Sequence, residues 1–160
     1  AFNLLSDEYL QKAQLNIIGD GSSLKKLKAL ALHNKQVVFY GIKERSEMAK
    51  FYQASDFLIV SLVDDPIFSV TVPAKTQTYI AAKKPILAII NGDTADIIKN
   101  NKLGLSVNPS DLELIRDTFQ DCIDMDEVER MTYVRNNEQV LVNIFNKEKI
   151  INSLTEILVQ

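Results

Sequence analysis

The chain has 160 residues, 46% hydrophobic and 24% charged, which is the balance of a globular protein long enough to bury a core. Its net charge of −3 lacks the basic excess of a nucleic-acid binder. The single cysteine, Cys122, excludes an intrachain disulfide, and the single histidine, His33, excludes a multi-histidine metal site.

The opening residues Ala1-Phe2-Asn3-Leu4-Leu5 read as the end of a helix with no strand before it. Leu15-Asn16-Ile17-Ile18 is an apolar, β-branched run closed by Gly19-Asp20-Gly21, so a strand and a tight turn are expected. Ser22 or Ser23 then caps a helix carrying Leu24, Leu27, Ala31 and Leu32 at helical spacing. Lys25, Lys26 and Lys28 read as its solvated face. Val37-Val38-Phe39-Tyr40 is the next strand, ended by Gly41. A serine cap at Ser46, without a capping box, precedes the helical positions Met48, Phe51, Tyr52 and Ala54.

Phe57-Leu58-Ile59-Val60 does not alternate with polar residues, as expected of a strand buried on both faces, with Ile59 central in the sheet. A loop over residues 64–72 follows, in which Asp64 and Asp65 are neighbours left to solvent. Pro73 suits the first turn of a helix reaching about residue 83, because its missing N–H costs nothing there. Pro85 leads into the strand Ile86-Leu87-Ala88-Ile89-Ile90, and Asn91-Gly92 turns the chain. A short helix over 95–101, with Asp93 and Asp96 as turn and cap residues, and a short strand over 103–107 come next. From Leu112 to Leu158 the period is helical, broken near Met125 and Asn146, and Cys122 falls on an apolar face. No apolar run reaches the ~18 residues of a membrane span.

Alternating strands and helices with unalternating apolar strands predict an α/β fold, a Rossmann-like parallel sheet with helices on both faces. Ligands bind such sheets beyond the carboxyl ends of the strands. Three loops belong at that edge, over residues 19–23, 40–44 and 64–78. The third feeds Val72-Pro73-Ala74-Lys75-Thr76 into a helix start, where free amides and the helix dipole favour a phosphate and where Lys75 and Thr76 add a charge and a hydroxyl. A plain helix start reads the same residues without a ligand, and the Gly-x-Gly at 19–21 fits any tight strand-to-helix turn. No Ser–His–Asp or Cys–His set assembles, so no catalytic residue is assigned.

The ordered runs LNIIGDGSSLKKLKAL, VVFYG, EMAKFYQASDFLIVSL and VPAKTQTYIAAKKPILA resemble the C-terminal domain of family 4 retaining glycosyltransferases of the GT-B fold. The resemblance is to the bacterial group that builds O-antigen or capsule polysaccharides. It covers nearly the whole chain, including the tail 131–158 with Asn143-Ile144-Phe145 before a final helix. It implies that residues 1–160 are one nucleotide-sugar-binding domain, half of a GT-B fold, without its first strand and without an upstream acceptor domain. That strand lies near the middle of the family's sheet.

By the same resemblance Tyr40, Gly41, Ile42 and Lys43 flank the nucleotide base, Pro73, Ala74, Lys75 and Thr76 lie under the diphosphate, and Gly19 and Gly21 line the cleft. The family's two glutamates, near the donor sugar and at the ribose, fall on Val70 and Thr78 here, and its usual glycine before Lys-Pro is Lys83. A threonine binds a ribose hydroxyl without charge assistance. The implied donor is a UDP-linked N-acetylated sugar, used as substrate, with no cofactor or metal. The implied acceptor is a polysaccharide or lipid-linked glycan, and the implied setting is cytoplasmic, peripheral to the inner membrane. Two other readings stand beside this one. One is a non-catalytic GT-B-like module that scaffolds or regulates a partner transferase. The other is a nucleotide-sugar epimerase of the same fold, which needs acid–base carboxylates from both halves.

Overall fold

The computed structural model describes residues 1–143 and 145–158. A short 3-10 helix at Phe2–Leu4 and helix α1 at Asp7–Lys12 precede strand β1 at Leu15–Ile18. Helix α2 (Leu24–Leu30), strand β2 (Val37–Gly41), helix α3 (Arg45–Ala54) and strand β3 (Leu58–Ser61) follow. Next come α4 (Pro66–Ser69), α5 (Ala74–Ala81), β4 (Ile86–Ile89), α6 (Asp93–Asn100) and β5 (Gly104–Val107). Helices α7 (Leu112–Asp124), α8 (Glu127–Asn143) and α9 (Lys147–Leu158) close the chain. Ile144, from the expected junction before the last helix, lies outside the described residues.

Among the described residues all strand pairs are parallel, but they form two sheets rather than one. β1 pairs with β2, and β4 sits between β3 and β5. β3, β4 and β5 run in unbroken register, whereas the β1–β2 ladder slips so that Ile18 faces Gly41. Strand β3 is therefore an edge of its sheet, and the central strand is β4. The expectation for Ile59 is corrected accordingly: it is half-buried, while its neighbours Leu58 and Val60 are buried.

Both faces of β4 are apolar, so the two-residue period of a strand sends its side chains into two cores. Ile86, Ala88 and Ile90 join Val60, Ile80, Ile98 and Leu103 beneath α5, α6 and α8. Leu87 turns the other way, to Phe2, Val107, Ile115, Phe119 and Cys122 beneath the 3-10 helix and α7. There Phe2 meets Phe119 edge to face at 5.4 Å. Leu15 and Val37 bring β1 and β2 to this second core only as partly buried members.

Several local expectations are revised. Ser23 precedes α2 but its side chain makes no cap, and its backbone is already helical. Helix α3 begins at Arg45, and its cap position is Glu44 rather than Ser46: the Glu44 N–H donates to the Glu47 carboxylate at 3.0 Å. The loop over 64–72 contains α4, capped by Asp65, whose carboxylate accepts from the Ile67 N–H at 2.9 Å. Lys83 holds φ 55°, the left-handed region that favours glycine, at the position where the resemblance calls for one.

Candidate functional site at the carboxyl edge

The carboxyl ends of β1 and β2 carry loops 19–23 and 41–44, and those of β3, β4 and β5 carry loops 62–73, 91–92 and 108–111. The first two are tied together: the Gly19 N–H donates to the Gly41 carbonyl at 2.7 Å. Both glycines have positive φ, 120° and 65°, which a side chain would strain. Tyr40 packs edge-on against Phe51 with ring centroids 5.1 Å apart. Beyond it Ile42 is exposed and Lys43 half-buried. Gly21 has open space around its Cα, so crowding does not select glycine there.

The third loop is held from two sides. Asp64 is not simply left to solvent, as its sequence neighbourhood suggests. One carboxylate oxygen accepts from the Asn91 amide at 2.9 Å and the other from the Ser110 hydroxyl at 3.0 Å. The loops after β3, β4 and β5 thus meet on one carboxylate. Buried Thr94 donates to the Thr71 carbonyl at 3.0 Å, from the first turn of α6. Gly92 lies so close to Ser69 that a Cβ would collide with the Ser69 backbone carbonyl. Together these contacts fix where the chain enters α5. Asn91-Gly92 reads as a turn in the sequence, whereas Asp64, Thr94 and Ser110 are marked for this junction only by following a strand at its carboxyl end.

Helix α5 begins after Pro73 with no side-chain cap and no acidic residue in its first turn. Its first amides therefore keep their positive end of the dipole uncompensated, and exposed Lys75 adds a charge beside them. Ala74 and Thr78 are also exposed. The Thr78 hydroxyl donates back to the Ala74 carbonyl at 3.1 Å, which leaves its oxygen lone pairs as acceptors. Thr76 points elsewhere: it is fully buried, and its hydroxyl has no hydrogen-bond partner. Val70, which the resemblance sets toward the donor sugar, is exposed at the end of α4.

Burial dominates the titration shifts near these elements. It raises the Tyr79 phenol above its ordinary value, with Tyr52 adding to the effect, and the two rings lie edge to face at 5.7 Å. On the far side of β4, burial and then Asp121 push the Cys122 thiol up to about 12, so this free cysteine is an inert core residue. Among the described residues no three His, Cys, Asp or Glu side chains gather to hold a metal ion. His33 lies exposed at the opposite end of the strands, in an open cavity of about 530 Å³ with Asn3, Asp7, Leu30 and Lys35.

The family model for glycosyl transferases of group 1 matches residues 1–124. No curated protein matches the chain. Among solved structures, Anabaena HepE in complex with UDP-glucose superposes with a TM-score of 0.73 at 16% identity, over 95% of this chain and 43% of that one. WaaG, a glycosyltransferase involved in lipopolysaccharide biosynthesis, gives a TM-score of 0.67 at 17% identity over 85% of this chain and 38% of its own. An α,α-trehalose-phosphate synthase (UDP-forming) from Burkholderia vietnamiensis gives 0.58 at 15% identity over 93% and 46%. The chain spans less than half the length of these three structures. At such identities they speak for the fold, which is the α/β fold of GT-B glycosyltransferases. With more than three quarters of its residues inside the family match, this chain belongs to the glycosyl transferases of group 1.

Proposed function

We propose that this chain is the donor-binding half of a glycosyltransferase, taking a nucleoside diphosphate sugar at the carboxyl edge of its strands. The observation that carries the reading is the uncapped start of α5 beside Lys75, held in place by the Asp64 and Thr94 contacts within a group 1 fold. A diphosphate there takes the free amides and the lysine charge, and the same groups stabilise it as it leaves. The tied loops after β1 and β2, with Gly19, Gly21 and residues 40–43, receive the nucleoside. HepE holds UDP-glucose, which supports a uridine donor, and the N-acetylated sugar remains part of the proposal.

Retention of configuration, family 4 membership, an O-antigen or capsule acceptor and a cytoplasmic, inner-membrane setting complete the reading. Transfer requires an acceptor domain that closes over the edge and supplies the acid–base group. The division between the β1–β2 and β3–β4–β5 sheets supports a further strand between them in the complete protein. A second reading, a GT-B-like scaffold for a partner transferase, draws on Val70 and on the Thr78 hydroxyl bonded to its own helix. UDP titration by calorimetry separates the two: saturable binding supports the donor reading, and no heat at millimolar nucleotide supports the scaffold.

A further inference from the structure

The segment between Asp20 and Glu44 contains five lysines and no acidic residue, in a chain whose net charge is −3. Helix α2 lies inside it and buries none of its residues. Lys25, Lys26, Lys28 and Lys35 are exposed, and none of them takes part in the four ion pairs among the described residues. Lys28 rests over the Phe39 ring at 5.9 Å, and the others reach into solvent. Beside them stand three exposed leucines. Leu27 is 41% exposed, Leu30 61% and Leu32 75%.

We propose that α2 and the turn that follows it are a docking surface for an anionic lipid bilayer. The pairing of unneutralised lysines with protruding leucines selects this partner. Lysines near an anionic leaflet are attracted to its headgroups, and leucines next to them enter the boundary between headgroup and acyl chain. A nucleic acid would satisfy the lysines but leave the leucines in water, and the exposed aromatic of the segment, Tyr40, is packed edge-on against Phe51 after β2 rather than standing beside α2 as a stacking platform. The acidic residues nearby are few. Asp20 and Glu44 bracket the segment, and Asp7 shares the cavity lined by Leu30, His33 and Lys35. The surface adds a specific contact to the peripheral membrane setting proposed above, and it draws on neither the carboxyl edge nor nucleotide.

Co-sedimentation with vesicles of phosphatidylglycerol and phosphatidylcholine tests the proposal, and pure phosphatidylcholine vesicles are the control. The protein is expected to bind the anionic vesicles and to be released by salt. Replacing Lys25→Gln and Lys26→Gln together should lower the partition by about fivefold per lysine. The pair Leu30→Ser and Leu32→Ser should lower it more than about tenfold, since each leucine loses its apolar transfer into the boundary. Thermal melts should stay at the parent value for both pairs, because all four side chains are exposed. Equal binding to neutral and anionic vesicles would overturn the proposal, as would leucine variants that bind like the parent. UDP titration of the same proteins reads the donor proposal separately, so either can fail while the other stands.

Discussion

The two parallel sheets of this small fold are built from similar strands and end up differently. In the β3–β4–β5 sheet the middle strand has Ile86, Leu87 and Ala88 almost wholly out of water, clamped by helices on both faces. In the β1–β2 pair no residue is buried, and the α2 helix that connects the two strands buries none either. Strand composition alone therefore does not decide burial; the helices that cover each face do. The β3–β4–β5 half carries the stability and the rigid entry to α5. The β1–β2 half carries the loops proposed to receive the nucleoside and the lysine-rich surface, on elements that bury no residue.

The sharpest way to break this comparison is to hollow each half in turn. Ile86→Ala removes a fully buried side chain from the first core and should cost about 2–5 kcal/mol in equilibrium unfolding. Ile17→Ala, on half-buried β1, should cost only about 1 kcal/mol. Equal losses would show that the halves share one core.

The Asp64 junction comes next. Asp64→Ala frees Asn91 and Ser110 and should cost about 1–2 kcal/mol, because the exposed junction leaves both donors access to water. Amide exchange should quicken across residues 62–73 and remain unchanged in β1 and β2. Lys83→Gly should act in the other direction. It relieves the left-handed backbone but gives up an exposed ion pair with Glu138 and frees the unfolded chain, for a net gain of about 0.5 kcal/mol. A clear loss would mean that the Lys83–Glu138 tie between α5 and α8 outweighs the backbone strain.

The smallest effect at neutral pH concerns Cys122. Its thiol is raised from 9.0 to about 12 by burial, so the folded state holds its proton where the unfolded chain releases it. The stability linked to that proton is complete below pH 9 and is lost as pH rises toward about 12. Below pH 9 a thiol reagent should label Cys122 only at the unfolding rate of its core. Rapid labelling of native protein would show that the α7 side opens by itself.

Most of this fold is legible in the sequence because β-branched runs and helical periods were strong where burial is strong. Leu58, Val60 and the run from Ile86 announce themselves by apolar continuity. Helix α1 did not, since Asp7-Glu8-Tyr9-Leu10-Gln11-Lys12 buries no residue and so shows no apolar period. Helix α4 is a single capped turn, too short for any period to register. The split between the sheets is a fact about long-range pairing, which local patterns do not encode. At the candidate site, the turns at Gly19 and Gly41 and the helix start beside Lys75 were legible from local turn and helix-start chemistry. The Asp64 junction was not, because Asn91 and Ser110 reach it from loops 27 and 46 residues away. Thr76 shows the converse limit: a hydroxyl in a helix's first turn reads as available until the packing of α5 turns it inward.

The donor-binding reading is tested most directly by amide chemical-shift mapping during a UDP titration, run on the parent, Lys75→Ala and Thr78→Glu. The account predicts shifts at residues 73–78 and 40–43. It predicts that Lys75→Ala weakens binding by roughly ten- to hundredfold, as one charge-assisted contact is lost. Thr78→Glu should tighten it by returning a carboxylate to the ribose position. Shifts confined to the amino ends of the strands, or no shifts at millimolar UDP with both variants indistinguishable from the parent, would contradict it.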